Sequence, residues 1–390
     1  MRTYRWLALV AALALVLAAC GGDDTDDTEA GDTTTTEASE ETTTTEASEE
    51  TTTTEGEETT TTEAAGPGDF SACQVTDTGG IDDKSFNQTA FAGLERAESE
   101  LGAEIAVLES QAETDYETNI NAFIEQGCDI IVTVGFLLGD ATAEAANANP
   151  EVPFSIVDFA YDEGVIEANN VLGQVFNTQE AAFLAGYVAA SVSETGVVGT
   201  FGGVNIPPVT VFMDGFVQGV DRYNADKGAS VTVIGWDYAS QEGLFTGNFE
   251  SLDDGRTFAQ NLVDEGADVV MPVAGPVGLG SAALASELGA ESLKIIGVDA
   301  DQFEIDTQNQ GVYLTSVLKN MDVTTFNAIE SVFTDTFEGG VTVGTLENGG
   351  VGLADFHDLA DAVSDETVSE LEALEAAIIA GDITVGTGGA

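Results

Sequence analysis

Residues 71–94, SACQVTDTGGIDDKSFNQTAFAGL, contain the signals of a parallel α/β unit. The apolar run 71–77 predicts a buried strand, and periodic apolar positions predict a helix over 88–101 that ends at Gly102. A polar loop beginning at Asp77 joins the two. Since ligands of open parallel sheets bind beyond the carboxyl ends of the strands, this loop is a candidate ligand site.

The same alternation of apolar strands and amphipathic helices continues along the chain. Near-continuous apolar strands are typical of parallel sheets covered by helices on both faces, so the pattern predicts an α/β fold with doubly wound sheets. The series begins afresh after 177–196, and we therefore expect two lobes. The further predicted strands are 103–110, 129–135, 152–158, 197–202, 230–237, 268–275, 293–299 and 312–319, and the further helices lie near 116–126, 208–225, 255–265 and 279–288.

The start of the chain has the composition of an export signal. Arg2 and Arg5 precede an apolar segment too short to span a bilayer, which predicts a signal peptide over residues 1–19. The sequence LAAC at 17–20 resembles a lipobox, in which Cys20 is lipidated and anchors the protein on the extracytoplasmic face of the cell membrane. The alternative is an ordinary secretory signal followed by an unmodified cysteine.

Residues 20–68 are predicted to be a disordered tether. TTTTEASEE occurs at 33–41 and again at 42–50, and the segment after Cys20 has 16 acidic residues but no lysine, arginine or aromatic residue. Such a segment cannot bury enough apolar surface to offset its ordering entropy. We expect it to hold the folded part away from the membrane.

The charge and motif content argue against several classes of function. A net charge of −61 repels nucleic acids and anionic substrates, which argues against them as partners. The chain has a single histidine, His357, expected on a surface loop, and contains no nucleophile elbow, zinc-protease motif or phosphate-binding loop. We therefore expect no enzyme activity, no cofactor and no metal. The acidity is typical of proteins from saline habitats, although a merely acidic surface protein is the alternative.

Five sequence blocks occur in an order that is characteristic of a known family. They are VTDTGGIDDKSFNQTAFAGL (75–94), LAGYVAA (184–190), GADVVMPVAGPVGLG (266–280), GVDADQ (297–302) and TSVLKNMD (315–322). Together they resemble the basic membrane protein family, also called PnrA-like lipoproteins, over roughly 70–390. The resemblance implies a substrate-binding component of an ABC importer with the type I periplasmic-binding-protein fold, acting as a monomer that docks on permease subunits.

That fold implies two lobes joined by a hinge that the chain crosses three times. The expected N-terminal lobe is 69–177 plus 319–344, and the expected C-terminal lobe is 178–318 plus 345–390, with crossings near 174–180, 316–321 and 340–348. Two lobes hinged in this way close on a small solute like a clamshell.

The resemblance also implies a purine nucleoside as the ligand. By motif, Asp77 and Asn87 would hydrogen-bond the base, while Phe86 and Phe249 would stack on it from opposite lobes. Gly275 would allow close approach of the backbone, and Asp299 with Lys319 would hold the ribose hydroxyls. A flat aromatic slot with directed donors and acceptors suits a purine on physical grounds too.

Each of these assignments has a structural alternative. Phe86 could be a core residue that anchors its loop, and Lys319, one of four lysines, could form a structural ion pair. Tyr238 and Phe245 are rivals of Phe249 for the second aromatic position. At the level of function, the alternatives are a binding protein for a sugar or other small polar solute and a ligand-sensing surface lipoprotein without a transport role.

The two remaining cysteines are predicted to form a disulfide. Cys73 lies in the first strand and Cys128 immediately precedes the third. In the expected strand order 2-1-3-4-5 these strands are neighbours about 4.8 Å apart, a separation that a disulfide can bridge. Exported chains retain such bonds. The alternative is a pair of buried thiols packed as small apolar groups.

Overall fold

The computed structural model describes residues 70–388, which form fourteen strands and ten α-helices. The strands are β1 Ser71–Thr76, β2 Glu104–Leu108, β3 Ile130–Val134, β4 Phe154–Val157, β5 Val171–Phe176, β6 Val197–Gly202, β7 Thr232–Ile234, β8 Trp236–Asp237, β9 Glu242–Gly243, β10 Val269–Val273, β11 Lys294–Asp299, β12 Tyr313–Lys319, β13 Gly340–Gly344 and β14 Val351–Leu353. The helices are α1 Phe86–Leu101, α2 Tyr116–Gln126, α3 Gly139–Ala148, α4 Thr178–Val192, α5 Pro207–Lys227, α6 Leu252–Asp264, α7 Val277–Leu288, α8 Gln302–Ile305, α9 Met321–Phe333 and α10 Asp365–Ile379.

The N-terminal lobe is built on a six-stranded parallel sheet. Its strand order is β13-β5-β4-β3-β1-β2, which contains the expected order 2-1-3-4-5 and adds β13 at one edge. Strands β3 and β4 are buried along their whole length because helices cover both faces of the sheet. This confirms the α/β fold class for the first lobe.

The C-terminal lobe repeats the design. Its sheet has the order β14-β12-β11-β10-β6-β7, and every pairing is parallel except that of β12 with the edge strand β14. Helices α4 and α5 pack on each other against one face of the sheet, and α6 and α7 pack together against the other. Two lobes, each with a predominantly parallel sheet between layers of helices, are characteristic of the type I periplasmic-binding-protein fold. The predicted fold class is therefore confirmed.

The chain passes between the two sheets at three places. These are the joint from β5 to α4, the joint from β12 to α9, and the segment between β13 and β14. Helix α9 follows a strand of the C-terminal sheet but packs on α1 of the other lobe. Both lobes are thus discontinuous in sequence.

Several elements differ from the sequence-based prediction. The single strand expected over 230–237 is wrong, because the chain turns at Gly235 and continues into the short hairpin β8–β9. Strands β5, β13 and β14 and helices α3, α4, α8, α9 and α10 were not among the predicted elements. The three strands and α3 are short or rich in glycine and small residues, so they carry little apolar periodicity.

A disulfide joins Cys73 to Cys128 in the N-terminal lobe, with their Cα atoms 6.1 Å apart. Cys73 pairs in register with Ile131 of the neighbouring strand, three residues beyond Cys128. The bond lies toward the amino ends of the strands, away from the sheet edge at which Asp77 begins the polar loop.

The predicted signal peptide, the lipobox at Cys20 and the tether lie outside the described residues. Among residues 70–388, no helix combines the length and the apolar character needed to cross a bilayer.

Candidate functional site

A cavity lies between the lobes, where the carboxyl ends of strands from both sheets face each other. The space between its lining atoms, including the part open to solvent, measures about 610 Å³. We call it the main cavity. The seven residues predicted to bind ligand all line it: Asp77, Phe86, Asn87, Phe249, Gly275, Asp299 and Lys319.

The loop after β1 is held in shape by Asp83. Its carboxylate accepts hydrogen bonds from the backbone N–H groups of Ser85, Asn87 and Gln88 at 2.8–3.1 Å. These N–H groups are the free donors at the start of α1, so Asp83 caps this helix. The cap places Phe86 and Asn87 in the first turn, facing the cavity.

Asn87 links this helix to the end of β1. Its Nδ2 donates to Asp77 Oδ1 at 2.7 Å and to Asp83 Oδ2 at 3.2 Å, and two carboxylate partners fix which end of the amide is the donor. Asn87 Oδ1 is buried and accepts no hydrogen bond from the part of the chain that the structure describes. An unpaired buried acceptor is costly, so this atom is suited to receive a donor from a ligand.

The structure shows which of the three aromatic residues in the segment after Trp236, namely Tyr238, Phe245 and Phe249, lines the main cavity. Phe249 lines the main cavity from the C-terminal lobe. Phe245 instead packs edge-on against Trp236, with ring centroids 5.8 Å apart, and Tyr238 faces Gly386 near the end of the chain. Phe86 therefore has one aromatic counterpart from this segment across the cavity, Phe249.

Asp299 ends β11 and is itself almost fully buried. Its backbone has a φ of 70°, in the left-handed region that, apart from glycine, asparagine and aspartate adopt most readily. The Oδ2 atom accepts a hydrogen bond of 2.8 Å from the hydroxyl of Ser85, which belongs to the other lobe. Asp299 is therefore a buried carboxylate at a strand end that is held in place by a contact across the cleft.

Lys319 ends β12, and its side chain is only 2% exposed. The ammonium group forms an ion pair with Asp158 of the other lobe and lies 4.9 Å from the ring centre of Phe86 and 5.3 Å from that of Phe176. The sequence analysis did not name Asp158 as a site residue. A signal was available, because Asp158 directly follows β4, just as Asp77 follows β1.

Burial dominates the electrostatics of Asp77. Removal from bulk water raises the pKa of Asp77 to about 8, although the hydrogen bond from Asn87 favours the ionised form and limits the rise. The nearby carboxylates Asp83, Asp158 and Asp299 contribute a smaller part of this rise in the pKa of Asp77. A protonated Asp77 carboxyl group can donate a hydrogen bond as well as accept one, which suits the edge of a polar heterocycle.

The three other acids of the cavity behave similarly. Burial raises the pKa values of Asp83, Asp158 and Asp299 above the ordinary range, while the charge of Lys319 lowers those of Asp158 and Asp299. Lys319 is the one cation among the residues that line the cavity. A ligand that donates hydrogen bonds is therefore favoured over one that brings further negative charge.

Two glycines allow the backbone to approach this site closely. A Cβ atom at Gly135, whose φ is 124°, would lie 2.7 Å from Asp77 Oδ2. Gly275 has a φ of 54°, and an added Cβ would meet no atom within 4 Å because it would project into open space. A side chain at 135 would thus displace Asp77, whereas one at 275 would occupy cavity volume.

The rest of the wall is apolar and was mostly missed by the sequence analysis. In particular, the first turn of α5 had not been connected with the site. The apolar lining residues include Phe136, Leu137, Ile206, Pro208, Val209, Phe212, Val273, Ala274, Pro276 and Val298.

His357 lies outside the cavity, at the start of the 3₁₀-helix His357–Ala362 rather than on the surface loop that was predicted. Its ring stacks on Phe303 with centroids 4.0 Å apart, and its Nε2 is 2.7 Å from Asp301 Oδ2. The aromatic contact and the carboxylate account for its partial burial. The histidine thus supports the segment that follows Asp299 and does not face the cavity.

Comparisons with a family model, with related sequences and with solved structures identify the same group of proteins. The family model for PnrA-like ABC transporter substrate-binding proteins matches residues 70–387. The chain is 31% identical to the ABC transporter nucleoside-binding protein BmpA of Lactococcus lactis, over 81% of this chain and 89% of that protein. It is 32% identical to basic membrane protein A of Borreliella burgdorferi, over 79% and 85%. A solved ABC transporter solute-binding protein from Aeropyrum pernix superimposes with a TM-score of 0.73 at 29% identity, over 82% of this chain and 94% of that one.

Proposed function

Because this chain belongs to the PnrA-like family of ABC transporter substrate-binding proteins, we propose that it captures a purine nucleoside between its lobes and delivers it to an ABC permease. The family membership accounts for the small-molecule ligand and the permease partner. The observation that carries the choice of ligand is the composition of the main cavity. Aromatic rings from both lobes, Phe86 and Phe249 among them, line it together with polar groups suited to both a base and a ribose.

The base is assigned to the end of the cavity near β1. Phe86 and Phe249 offer ring faces, and stacking of a nucleobase on an aromatic side chain contributes about 1–3 kcal/mol. Asp77 and the unpaired Oδ1 of Asn87 offer directed hydrogen bonds to the polar edge of the base. A sugar without a base would leave both rings without a stacking partner.

The ribose is assigned to Asp299 and Lys319. A carboxylate can accept hydrogen bonds from both hydroxyls of a diol, and an ammonium group can donate to their oxygen atoms. The prevailing negative charge around them disfavours a phosphate group. The proposed ligand is accordingly a nucleoside rather than a nucleotide.

The location is proposed from the sequence. The lipobox-like LAAC places a lipid on Cys20, and the acidic Thr/Glu segment would then hold the binding lobes outside the cytoplasmic membrane. A nucleoside receptor at that site would work as a monomer. Metabolic labelling with a palmitate analogue tests the anchor, and Cys20→Ser is the control that should abolish labelling.

Two measurements test the ligand assignment directly. Native mass spectrometry of the purified protein should find a purine nucleoside carried through purification. Titration calorimetry of ligand-stripped protein should give binding with adenosine, inosine or guanosine and none with ribose or galactose. Binding of a free sugar without binding of any nucleoside would replace this proposal with the sugar-binding alternative.

A further inference from the structure

The cleft continues beyond the main cavity into a second compartment. This hinge compartment, by the same measure about 610 Å³ in volume, is lined mainly by Phe136, Val175, Phe176, Pro207, Pro208 and Val211. It shares four residues with the main cavity, namely Phe136, Asp158, Pro208 and Lys319. The two spaces are therefore neighbours separated by the Lys319–Asp158 ion pair.

The order of the strands in the N-terminal sheet shows on which side of the main cavity the hinge compartment lies. Strands β1, β3, β4 and β5 lie side by side in that order, about 4.8 Å apart. Their carboxyl ends carry, in turn, Asp77, Gly135, Asp158 and Phe176. A path that starts at the proposed base position near Asp77 thus runs past Asp158 and reaches Phe176 in the hinge compartment.

The contacts of Lys319 also place it between the main cavity and the hinge compartment. Its ammonium group lies 4.9 Å from the ring centre of Phe86, in the main cavity, and 5.3 Å from that of Phe176, in the hinge compartment. A ligand group held by Lys319 is therefore at the entrance of the second space. In the proposed binding mode that group is the ribose.

The chemistry of the hinge compartment is apolar. Among the described residues that line it, Asp158 and Lys319 are the ionisable ones, and they are paired with each other. Ring, proline and valine side chains form most of the remaining wall. Such a wall favours an uncharged group with apolar surface and offers no unpaired charge to a phosphate.

We propose that the hinge compartment receives an uncharged apolar substituent on C5′ of the ribose, so that the ligands of this protein include 5′-thioether nucleosides. The inference rests on the proposed nucleoside function. If Asp299 and Lys319 hold the 2′ and 3′ hydroxyls and the base lies near Asp77, the remaining position from which a ribose can extend is C5′.

A homologous ligand series tests this inference. Titration calorimetry would compare adenosine, 5′-deoxyadenosine and 5′-deoxy-5′-alkylthioadenosines carrying methyl, propyl and butyl groups. Burial of apolar surface predicts that affinity rises about two- to fourfold for each methylene until the compartment is filled. An affinity that falls when the substituent is added, while adenosine binds, would overturn the inference and leave the proposed function intact. Failure of every nucleoside to bind would overturn both.

A pair of matched variants tests whether the C5′ substituent lies in the hinge compartment. Val211→Phe fills part of the hinge compartment from a residue that does not line the main cavity. It should weaken binding of the butylthio derivative at least tenfold and change adenosine affinity by less than threefold. The same replacement at the exposed Val323 of α9 should change neither. Equal losses for both ligands in Val211→Phe, in a variant with an unchanged melting temperature, would contradict the assignment.

Discussion

The hydroxyl of Ser85 and the carboxylate of Asp299 meet across the cleft in a hydrogen bond of 2.8 Å, although the two residues are 214 positions apart. Beside them, Gln302 Nε2 donates to the carbonyl oxygen of Lys84 at 2.9 Å. The Lys84 ammonium group is 3.9 Å from Asp306 Oδ1. These contacts join the loop after β1 to the segment after β11, so they stabilise the closed arrangement of the lobes.

Removal of the Ser85 hydroxyl should shift the lobes toward an open arrangement. A hydrogen bond to a charged group contributes about 1.5–3 kcal/mol, so Ser85→Ala should lower the closed-to-open equilibrium constant roughly 10- to 150-fold. Small-angle scattering should then show a larger radius of gyration for Ser85→Ala before ligand is added, and compaction when saturating nucleoside is added. Ser369→Ala, on the exposed face of α10, is the control. Identical scattering curves for all three proteins under both conditions would contradict the clamshell closure.

Loss of the Phe86 or the Phe249 ring should weaken nucleoside binding without unfolding the protein. Stacking on one ring contributes about 1–3 kcal/mol, so Phe86→Ala and Phe249→Ala should each lower the affinity about 5- to 150-fold in calorimetry. Phe245→Ala is the matched control, because that ring packs on Trp236 outside the cavity. It should lower the melting temperature and leave affinity nearly unchanged. If Phe245→Ala reduced affinity more than Phe249→Ala, the assignment of the second ring would be wrong.

The stability of the protein should fall between about pH 4 and pH 8. Burial raises the pKa of Asp77 to about 8, so in that range the folded state binds a proton that the unfolded state has lost. The free energy of unfolding therefore decreases as the pH rises through this range. The decrease ends above the pKa of Asp77 in the folded protein. Urea unfolding at pH 5 and pH 8 measures the difference.

Asp77→Asn isolates the contribution of this residue. Asparagine mimics the protonated acid and its carbonyl oxygen can still accept from Asn87, so the difference in unfolding free energy between pH 5 and pH 8 should shrink. Asp129→Asn serves as the comparison, because Asp129 is exposed at the opposite ends of the strands. An equal pH dependence in wild type and Asp77→Asn would show that Asp77 is already ionised in the folded protein near pH 5.

The disulfide should stabilise the fold and leave ligand binding unchanged. Cys73 and Cys128 are 55 positions apart, and closing a loop of that length stabilises a protein by about 4 kcal/mol on the chain-entropy estimate. The Cys73→Ala/Cys128→Ala double variant should therefore unfold at lower urea concentration but bind nucleoside with similar affinity. Thiol titration of denatured, unreduced protein provides the direct check. Two reactive thiols in addition to Cys20 would mean that the bond does not form.

The sequence was sufficient to predict the fold class, because the buried parallel strands are nearly continuous apolar runs. The edge strands could not be predicted in the same way. In β13, for example, Val341 is about half exposed, and the strand is stabilised by pairing with β5 far away in the sequence rather than by its own pattern. Local periodicity carries no information about such pairing.

Seven residues of the candidate site were named from the sequence, but the pairings between the two lobes were not predictable. Asp77 and Asn87 are ten positions apart, and one motif contains both of them. The partners Asp158 and Lys319 are separated by 161 positions, and their contact exists only after both lobes have folded. A rule that marks every acid at the end of a predicted strand would have identified Asp158, whereas the Ser85–Asp299 bond requires the relative position of the lobes.

The bond between Cys73 and Cys128 also determines how the protein responds to proteolysis. The polypeptide between the two cysteines, including the loop that carries Asp77 and the first turn of α1, forms a closed covalent ring. A single cut by an extracellular protease within this ring would leave both fragments attached to each other. The exposed rim of the cleft, at Gly79 and Asp82, could therefore be nicked without release of any part of the receptor, until a reductant opened the ring.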